Sequence, residues 1–403
     1  MKRSGDRDGR IGANSLTAIG FLLVFVLGAS IHATQISVPT DEGRIRPTTI
    51  MRHVLAAERL ERGDVYIANA MLYRLLNAAH AAGVPRELTV IALMGLCTAA
   101  IWCATYRYAR RRIGDAYSPV HLGSIAALTL LVNSLWIPAI SRGVYLGQWG
   151  PNVYHNPSHT LVLAFAVPLF VAIGHLVSRP GGRREPWIGF AIALGLTLSI
   201  YAKPTFILAL APATVLYVLL TMGLSRRSVM LLIALLALPT AYVLLVRQFA
   251  FNLEESRLVG RSNAIAPFEV WNRWSRNVPA SIAMTFAFPV ALAGSAWREH
   301  AFGRHFGYAW MLCLVATAMA ALLVEVRPTG EHEYAANWFS GYLLANHLLF
   351  MVTIVEFFRW RSDMGTEGRR RVRYRLCAGL LAYHGISGMV YIARLTYMHG
   401  VSA

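Results

Sequence analysis

The chain has 403 residues, of which 56% are hydrophobic and only 14% are charged. A composition this apolar excludes an ordinary water-soluble domain and indicates an integral membrane protein. The formal net charge of +18 does not indicate nucleic-acid binding, because the basic residues are spread over short segments between apolar stretches.

About eleven apolar stretches follow one another, each of roughly 17 to 22 residues, which is enough to cross a hydrocarbon core of about 30 Å. The first follows basic residues, as a signal peptide does, but lacks a small-residue cleavage site and is read as a retained anchor. The fold class is therefore predicted to be all-α, a polytopic membrane protein with residues 1–403 forming a single domain. The predicted spans are 15–33, 88–106, 118–140, 160–178, 186–202, 205–222, 228–246, 278–296, 307–325, 339–358 and 376–396.

Arginine residues set the predicted orientation, because positively charged loops stay in the cytoplasm. With a cytoplasmic N-terminus, the densest arginine clusters, at 107–112 and in the basic loop 359–375, lie inside. The C-terminus is then periplasmic. Only two of the 38 basic residues are lysine, a bias consistent with a GC-rich bacterial genome. We therefore expect a multi-pass protein of the bacterial inner membrane.

The four cysteines all fall within predicted spans, so neither a disulfide nor a metal cluster is expected. Glu331, His332 and Glu333 do not share one face of a helix, which also argues against a metal site. His175, His347 and His384 lie within spans and are interpreted as core residues with hydrogen-bond partners.

The first outside loop, residues 34–87, is longer than a passive connection needs. Apolar residues recur at helical spacing from Ile50 and again from Ile67, and Gly63 separates the two runs. The pattern predicts two short amphipathic helices in the membrane interface. The alternative is a pair of helices that only cap the bundle.

Two adjacent acids, Asp41 and Glu42, lie between the first span and these helices. A carboxylate at the membrane surface is suited to act as a general base towards a lipid head group or an acceptor hydroxyl. Adjacent acids in a loop are also often merely solvated.

The second outside loop combines aromatic and amide side chains. Aromatic rings with nearby amides suit a sugar, whose apolar faces stack and whose hydroxyls need donors and acceptors, although an interfacial aromatic belt is the alternative. The candidate sugar- or acceptor-binding residues here are Trp149, Asn152, Tyr154 and Asn156.

Lys203, followed by Pro204, forms a tight outside turn between two spans. The proline holds the preceding residue extended, so the lysine is expected at a helix break, where its ammonium either binds a lipid phosphate or extends to the head groups. Glu331 is a further candidate for acceptor binding.

The order of a first span, an acidic outside loop with two interfacial helices, and many further spans resembles the glycosyltransferase C superfamily. The Lys203-Pro204 turn is similar to the lysine-proline of mannosyltransferase-like members. The segment 147–157, GQWGPNVYHNP, resembles membrane proteins associated with bacterial surface polysaccharide. In the superfamily the acidic motif often follows the first span directly, whereas Asp41 comes some eight residues later.

The resemblance implies a glycosyltransferase that inverts the anomeric centre and acts on the periplasmic face. Its partners would be membrane lipid, a polyprenyl-phosphate sugar as donor and a glycan acceptor, with no separate cofactor. Asp41 or Glu42 would be the base, and Lys203, with Arg327 and His155, would hold the donor phosphate. A lipid-linked polysaccharide polymerase or ligase, and a lipid or glycan transporter, are the alternatives.

Overall fold

A computed structural model gives the fold. It describes residues 5–36, 48–64, 70–138, 149–178, 186–222, 237, 241, 262–297, 302–326, 329–333, 337–363 and 368–397. The described part is nearly all α-helical, as predicted, with one small sheet that the sequence did not reveal. The helices are α1 (Gly5–Ala33), α2 (Thr49–Glu61), α3 (Met71–Ala81), α4 (Arg86–Ile113), α5 (Pro119–Leu131), α6 (Pro157–Ser178), α7 (Pro186–Ala202), α8 (Thr205–Met222), α9 (Glu269–Trp274), α10 (Val278–Ala296), α11 (Arg304–Leu322), α12 (Asn337–Asp363) and α13 (Gly368–Tyr397).

Within the described residues, seven helices are long and apolar enough to cross a membrane, and three shorter apolar helices accompany them. The seven are α1, α4, α6, α10, α11, α12 and α13, and the shorter three are α5, α7 and α8. The predicted span 228–246 lies almost entirely outside the described residues. The structure is thus that of a multi-pass membrane protein.

Helix α12 lies at the centre of the bundle, since 94% of its most apolar stretch is buried. Helix α1 lies at the periphery, because only 22% of its most apolar stretch is buried. The closest packing of α1 is against α4, where small residues let the two backbones approach. A Cβ atom on Gly95 would lie 2.8 Å from the Phe25 carbonyl oxygen, and one on Gly28 would lie 2.8 Å from Thr98.

Helices α2 and α3 form a hairpin, which confirms the two helices predicted after the first span. Thr48 caps α2 by accepting a hydrogen bond from the Met51 amide at 3.3 Å. Gly63 and Gly83 follow the two helices with positive φ angles of 78° and 84°, a conformation that ends helices and favours glycine.

Arg86, at the start of α4, holds this hairpin down. It is 7% exposed, donates to Asn77 Oδ1 at 2.9 Å and forms an ion pair with Glu61.

The prediction of a helical span over 118–140 was wrong in its second half, because α5 ends at Leu131 and residues 132–137 are not helical. Neighbouring segments satisfy the freed backbone groups. The Asn133 amide donates to the His384 carbonyl oxygen at 3.0 Å, and the Leu135 amide to the Met284 carbonyl oxygen at 3.2 Å. Non-helical backbone is tolerated at membrane depth when it is enclosed by protein in this way.

Three short strands form an antiparallel sheet, in the order β1 (Ser262–Ile265), β2 (Leu323–Val326), β3 (His332–Glu333). Ser262 pairs with Val326, and Glu325 pairs with both Asn263 and Glu333. Strand β2 follows α11 directly, which corrects the predicted helical span 307–325 at its end.

The described loops and helix ends fall into two groups at opposite ends of the bundle. The α2–α3 end carries α2, α3, the sheet, α9 and the α7–α8 turn. We call the opposite end the arginine-rich end. There, Arg112 Nη2 on α4 donates to Glu356 Oε1 on α12 at 2.9 Å, and Arg304 on α11 donates to the Val177 carbonyl oxygen on α6 at 3.3 Å.

The four cysteines lie inside α4, α11 and α13. His384 is a buried core residue with partners on both ring nitrogens, as predicted: one contacts the Asn133 carbonyl oxygen, and the other accepts from the Phe288 amide at 3.4 Å.

Candidate functional site

The α2–α3 hairpin contributes a histidine to the α2–α3 end. His53 lies on α2, half-buried, with its Nδ1 atom 2.8 Å from the Tyr73 hydroxyl on α3. The two rings stack at 5.6 Å between centroids. Burial raises the pKa of Tyr73 to about 12, so this phenol stays neutral at physiological pH.

The segment before α6 contributes His155 and Asn156. The Asn156 side-chain oxygen accepts from the Ser158 hydroxyl at 2.8 Å and from the His159 amide at 3.3 Å, and so caps the start of α6. His155 Nδ1 lies 2.9 Å from the hydroxyl of Tyr391 on α13, which also accepts from the Tyr154 amide. The ring of His155 is thereby fixed in place.

The α7–α8 turn contributes Lys203, the only lysine among the described residues. Its amide donates to the Ser199 carbonyl oxygen at 2.8 Å, which continues the turn of α7, and Pro204 prevents further helix. The residue is 9% exposed. Burial lowers the pKa of Lys203 to about 8, and the negative charge of Glu325 on β2 opposes this shift.

These segments meet in one place. The Asn156 side chain lies near enough to the His53 ring to raise the pKa of that ring, and the positive charge of Lys203 lowers the pKa of His53. We call the group His53, His155, His159 and Lys203, with Asn156 and Tyr73, the histidine–lysine cluster. The cluster joins residues that lie up to 150 positions apart in the sequence.

The protonation states of the cluster suit the binding of an anion. Burial first, and then the charge of Lys203, lowers the pKa of His53 to about 4. Burial, followed by the neighbouring His53 and His32, lowers the pKa of His155 to about 4 as well. Near neutral pH the cluster therefore holds neutral imidazoles around one ammonium, a set of donors that suits an anion such as phosphate.

Three of the four residues that the second outside loop offered for sugar binding are packed inside the protein. Trp149 is 3% exposed and stacks on Phe339 at 4.1 Å. The Asn152 amide donates to the Thr129 and Val132 carbonyl oxygens at 3.0 and 2.6 Å, and the Tyr154 hydroxyl donates to the Leu130 carbonyl oxygen at 2.6 Å.

These contacts give Asn152 and Tyr154 a structural role, since they satisfy the carbonyl groups left open at the end of α5. His347, which was expected to be a core residue, lies with its Nδ1 atom 3.0 Å from Asn152 Oδ1 and orients that amide. Of the four predicted residues, Asn156 is the one that belongs to the cluster.

The other predicted site residues fall in two groups. Asp41, Glu42 and Arg327 lie outside the described residues. Glu331 is exposed in the turn before β3, on the sheet that also carries Glu325. Among the described residues, no group of three or more histidine, cysteine or acidic side chains is arranged to hold a metal ion.

Sequence reasoning missed His53, Tyr73 and Tyr391 as site residues. His53 was visible as a polar residue on the less apolar side of a predicted amphipathic helix, and that was the available signal. Tyr391 gave none, because it lies within the last apolar span.

No protein-family model matches the chain, and no curated protein matches it.

Proposed function

We propose that the chain is a membrane glycosyltransferase of the glycosyltransferase C type, which moves a sugar from a polyprenyl-phosphate donor to a lipid-linked or cell-surface glycan acceptor. The observation that carries the proposal is the buried Lys203 within the histidine–lysine cluster, at the end of the bundle where α2 and α3 lie. Burial of an ammonium without a counter-charge costs free energy, so such a lysine usually has a function. A lipid phosphate is the anion most available at a membrane surface to pair with it.

Lys203 binds the donor phosphate in this proposal, and His155 contributes a hydrogen bond from its imidazole. Arg327, which lies outside the described residues, is two positions beyond Glu325 of β2 in the sequence and adds a second cation. Asn156, held by its hydrogen bonds at the start of α6, orients the donor.

In this reaction the protein mainly positions two substrates and neutralises the charge on the leaving phosphate. The oxygen of an acceptor hydroxyl attacks the anomeric carbon, and the bond from that carbon to the phosphate oxygen breaks. The polyprenyl phosphate leaves with the bonding electrons, towards Lys203. Attack from the opposite face inverts the anomeric configuration.

A carboxylate takes the proton of the acceptor hydroxyl, and Asp41 or Glu42 fills this role. The described residues that flank this pair lie at the α2–α3 end. Gln35 donates to the Tyr154 carbonyl oxygen at 3.3 Å, and Thr48 starts the helix that carries His53. Both ends of the connecting segment are therefore close to the cluster.

The cellular setting follows from the arginine distribution. The arginine-rich end faces the cytoplasm of a bacterial inner membrane, and the α2–α3 end faces the periplasm. The N-terminus is then cytoplasmic and the C-terminus periplasmic.

The test compares the surface glycan of a deletion strain that carries the wild type, Asp41→Asn, Glu42→Gln, Lys203→Ala or the control His80→Gln. His80 is an exposed histidine on α3 and lies outside the cluster. Membrane levels of each variant are measured by immunoblot and matched. We expect a sugar to be missing in the deletion strain, restored by the wild type and His80→Gln, and not restored by Lys203→Ala or by one of the two acid variants.

Normal glycan in the deletion strain, or full rescue by every variant, would contradict the proposal. A polymerase or ligase would instead leave every sugar present but shorten the glycan or leave it unattached. A transporter would leave the lipid-linked glycan complete but confined to the inner leaflet.

A further inference from the structure

Helices α10 and α11 leave a groove between them, which we call the α10–α11 groove. Its volume is about 480 Å³, within the range of about 300–1,000 Å³ that is common for small-molecule sites. The described residues that line it lie within 282–291 of α10 and 310–317 of α11. Both helices are long and apolar enough to cross a membrane, so the groove lies between two membrane spans.

Small side chains on α10 leave the space, and exposed side chains mark its opening. Ala283, Ala287 and Ala291 recur every four residues and therefore lie on one face of the helix. Val290 and Leu314, which also line the groove, are both exposed on the outer surface of the bundle. In a membrane that surface contacts lipid, so the groove is open to the bilayer.

Aromatic rings close the inner side of the groove. Phe286 of α10 and Trp310 of α11 lie 6.2 Å apart between ring centroids. The Phe286 ring also contacts Tyr342 of the central helix α12, with centroids 6.3 Å apart. The groove therefore ends against the bundle and does not pass through it.

The walls of the groove offer almost no polar partner to a ligand. The Thr317 hydroxyl donates to the Cys313 carbonyl oxygen of its own helix at 2.7 Å. The indole nitrogen of Trp310 is itself buried. Because apolar cavities stay dry, hydrocarbon rather than water is the material that fills this space.

The groove lies at the depth of lipid acyl chains. Helix α10 begins with Val278 at the α2–α3 end, and at 1.5 Å per residue the lining positions 282–291 lie about 6 to 20 Å below that start. One leaflet contributes about 15 Å of hydrocarbon, half of a core of about 30 Å. The groove therefore runs through most of the leaflet at the α2–α3 end.

The groove is too narrow for a further helix. Over a length of about 14 Å, a volume of about 480 Å³ corresponds to a cross-section of about 35 Å², whereas a helix about 10 Å across needs about 80 Å². A single hydrocarbon chain fits this width.

A positive charge lies at the end of α10 nearest the groove. Arg276 is exposed and immediately precedes Asn277, whose side chain caps α10 by accepting from the Ala280 amide at 3.0 Å. An arginine at the end of a membrane span lies at the level of the lipid head groups, where it attracts their phosphates.

We propose that the α10–α11 groove binds one acyl chain of a phospholipid from the leaflet at the α2–α3 end, with the phosphate of that lipid at Arg276. The apolar walls match the chain, and the arginine matches the head group. The groove and Arg276 lie outside the histidine–lysine cluster, so this lipid site does not depend on the proposed function.

The experiment uses the full-length protein and a phosphatidylethanolamine that carries a diazirine near the middle of one acyl chain. The protein is reconstituted with this lipid, exchanged into detergent, washed until bulk lipid is removed and then illuminated. Peptide mass spectrometry locates the adducts. We expect adducts on the peptides that contain 282–291 and 310–317, and none on α1, where exposed residues such as Leu22 contact only exchangeable lipid.

Filling the groove should remove the lipid. Ala287→Phe places a ring in the groove and should abolish the adducts on α10 and α11. Ala318→Phe makes the same change at an exposed position on α11 that does not line the groove, and should keep them. Ala283→Phe, at a more exposed lining position, gives the same test should Ala287→Phe not fold. Arg276→Gln should reduce the adducts, because the phosphate loses its cation.

Several results would contradict the lipid site. Equal adducts on α1, α10 and α11 would show that the probe reports bulk lipid, and undiminished adducts in both groove-filling variants would place the chain elsewhere. Full retention in Arg276→Gln would show that the phosphate does not bind there. Displacement of the probe by excess farnesyl methyl phosphate but not by excess dioleoyl phosphatidylethanolamine would show a prenyl chain in the groove, and the assignment to a phospholipid would be wrong.

Discussion

Lys203 combines a charged group with 9% exposure in a turn between two apolar helices. Among the described residues, no carboxylate lies within ion-pair distance of its ammonium, and Glu325 acts on it only from farther away. Proteins rarely keep a buried charge without a direct counter-charge unless a ligand supplies one. The site is thus complementary to an anion.

The pH dependence of phosphate binding follows from the pKa of Lys203. A lysine is charged below its pKa, so affinity for a prenyl phosphodiester such as farnesyl methyl phosphate should fall as the pH rises through about 8. Lys203→Arg keeps its charge beyond pH 12, so in this variant the fall should move to higher pH. Titration calorimetry between pH 6.5 and 10 measures both curves. An unchanged midpoint in Lys203→Arg would show that another group controls binding.

At the residue scale, sequence reasoning identified Lys203 because its type and position were both unusual. It did not identify the partner, because His53 approaches Lys203 only after α2, the α6 cap and the α7–α8 turn have packed together. A histidine on one amphipathic helix has no local signature that points to a lysine 150 residues away.

Among the elements, α5 shows how a distant segment sets the length of a helix. Its apolar sequence would support a longer span, but Asn152 and Tyr154 take the carbonyl oxygens of its last turn. Helix α13 also approaches this point closely, since a Cβ atom on Gly388 would collide with the Leu131 carbonyl oxygen. The non-helical segment 132–137 is enclosed by these contacts.

Replacement of Asn152 tests whether this residue holds α5 or binds a sugar. Asn152→Ala leaves the Thr129 and Val132 carbonyl oxygens without their donor, which should destabilise the protein by about 1–3 kcal/mol. Thermal unfolding of the protein in detergent measures this, with the exposed Asn272→Ala on α9 as a control that should change little. An unchanged unfolding temperature together with a raised KM for a glycan acceptor would favour sugar binding.

The predicted spans largely coincide with helices because a run of apolar residues is a local property that the membrane reads directly. The shortened α5 and the small sheet were not predictable in this way. Strand β1 finds its partner β2 some sixty residues later, and neither segment alternates strongly enough to signal a strand.

At the scale of the whole molecule, the described contacts sort the helix ends into two sets. Helix α8 ends at Met222, at the arginine-rich end of the bundle. There the Tyr217 hydroxyl donates to the Arg304 carbonyl oxygen at 2.8 Å. Ser262 opens β1 at the α2–α3 end. The predicted span 228–246 falls between these two residues in the sequence and stays a prediction. Which end faces the periplasm is then a single question for the entire chain.

Labelling of single cysteines shows which end of the bundle faces the periplasm. In a background whose native cysteines are replaced by serine or alanine, Asp64→Cys and Glu331→Cys probe the α2–α3 end, and Asp115→Cys and Asp363→Cys probe the arginine-rich end. All four positions are exposed. A membrane-impermeant maleimide added to spheroplasts should label the first pair alone, and labelling of the second pair should need membrane disruption.

The reverse pattern would put the histidine–lysine cluster in the cytoplasm, where nucleotide sugars would replace prenyl-linked donors as the available substrates. Labelling of one position from each pair would instead contradict the fold itself, since the contacts of α4 with α12 hold Asp115 and Asp363 at the same end.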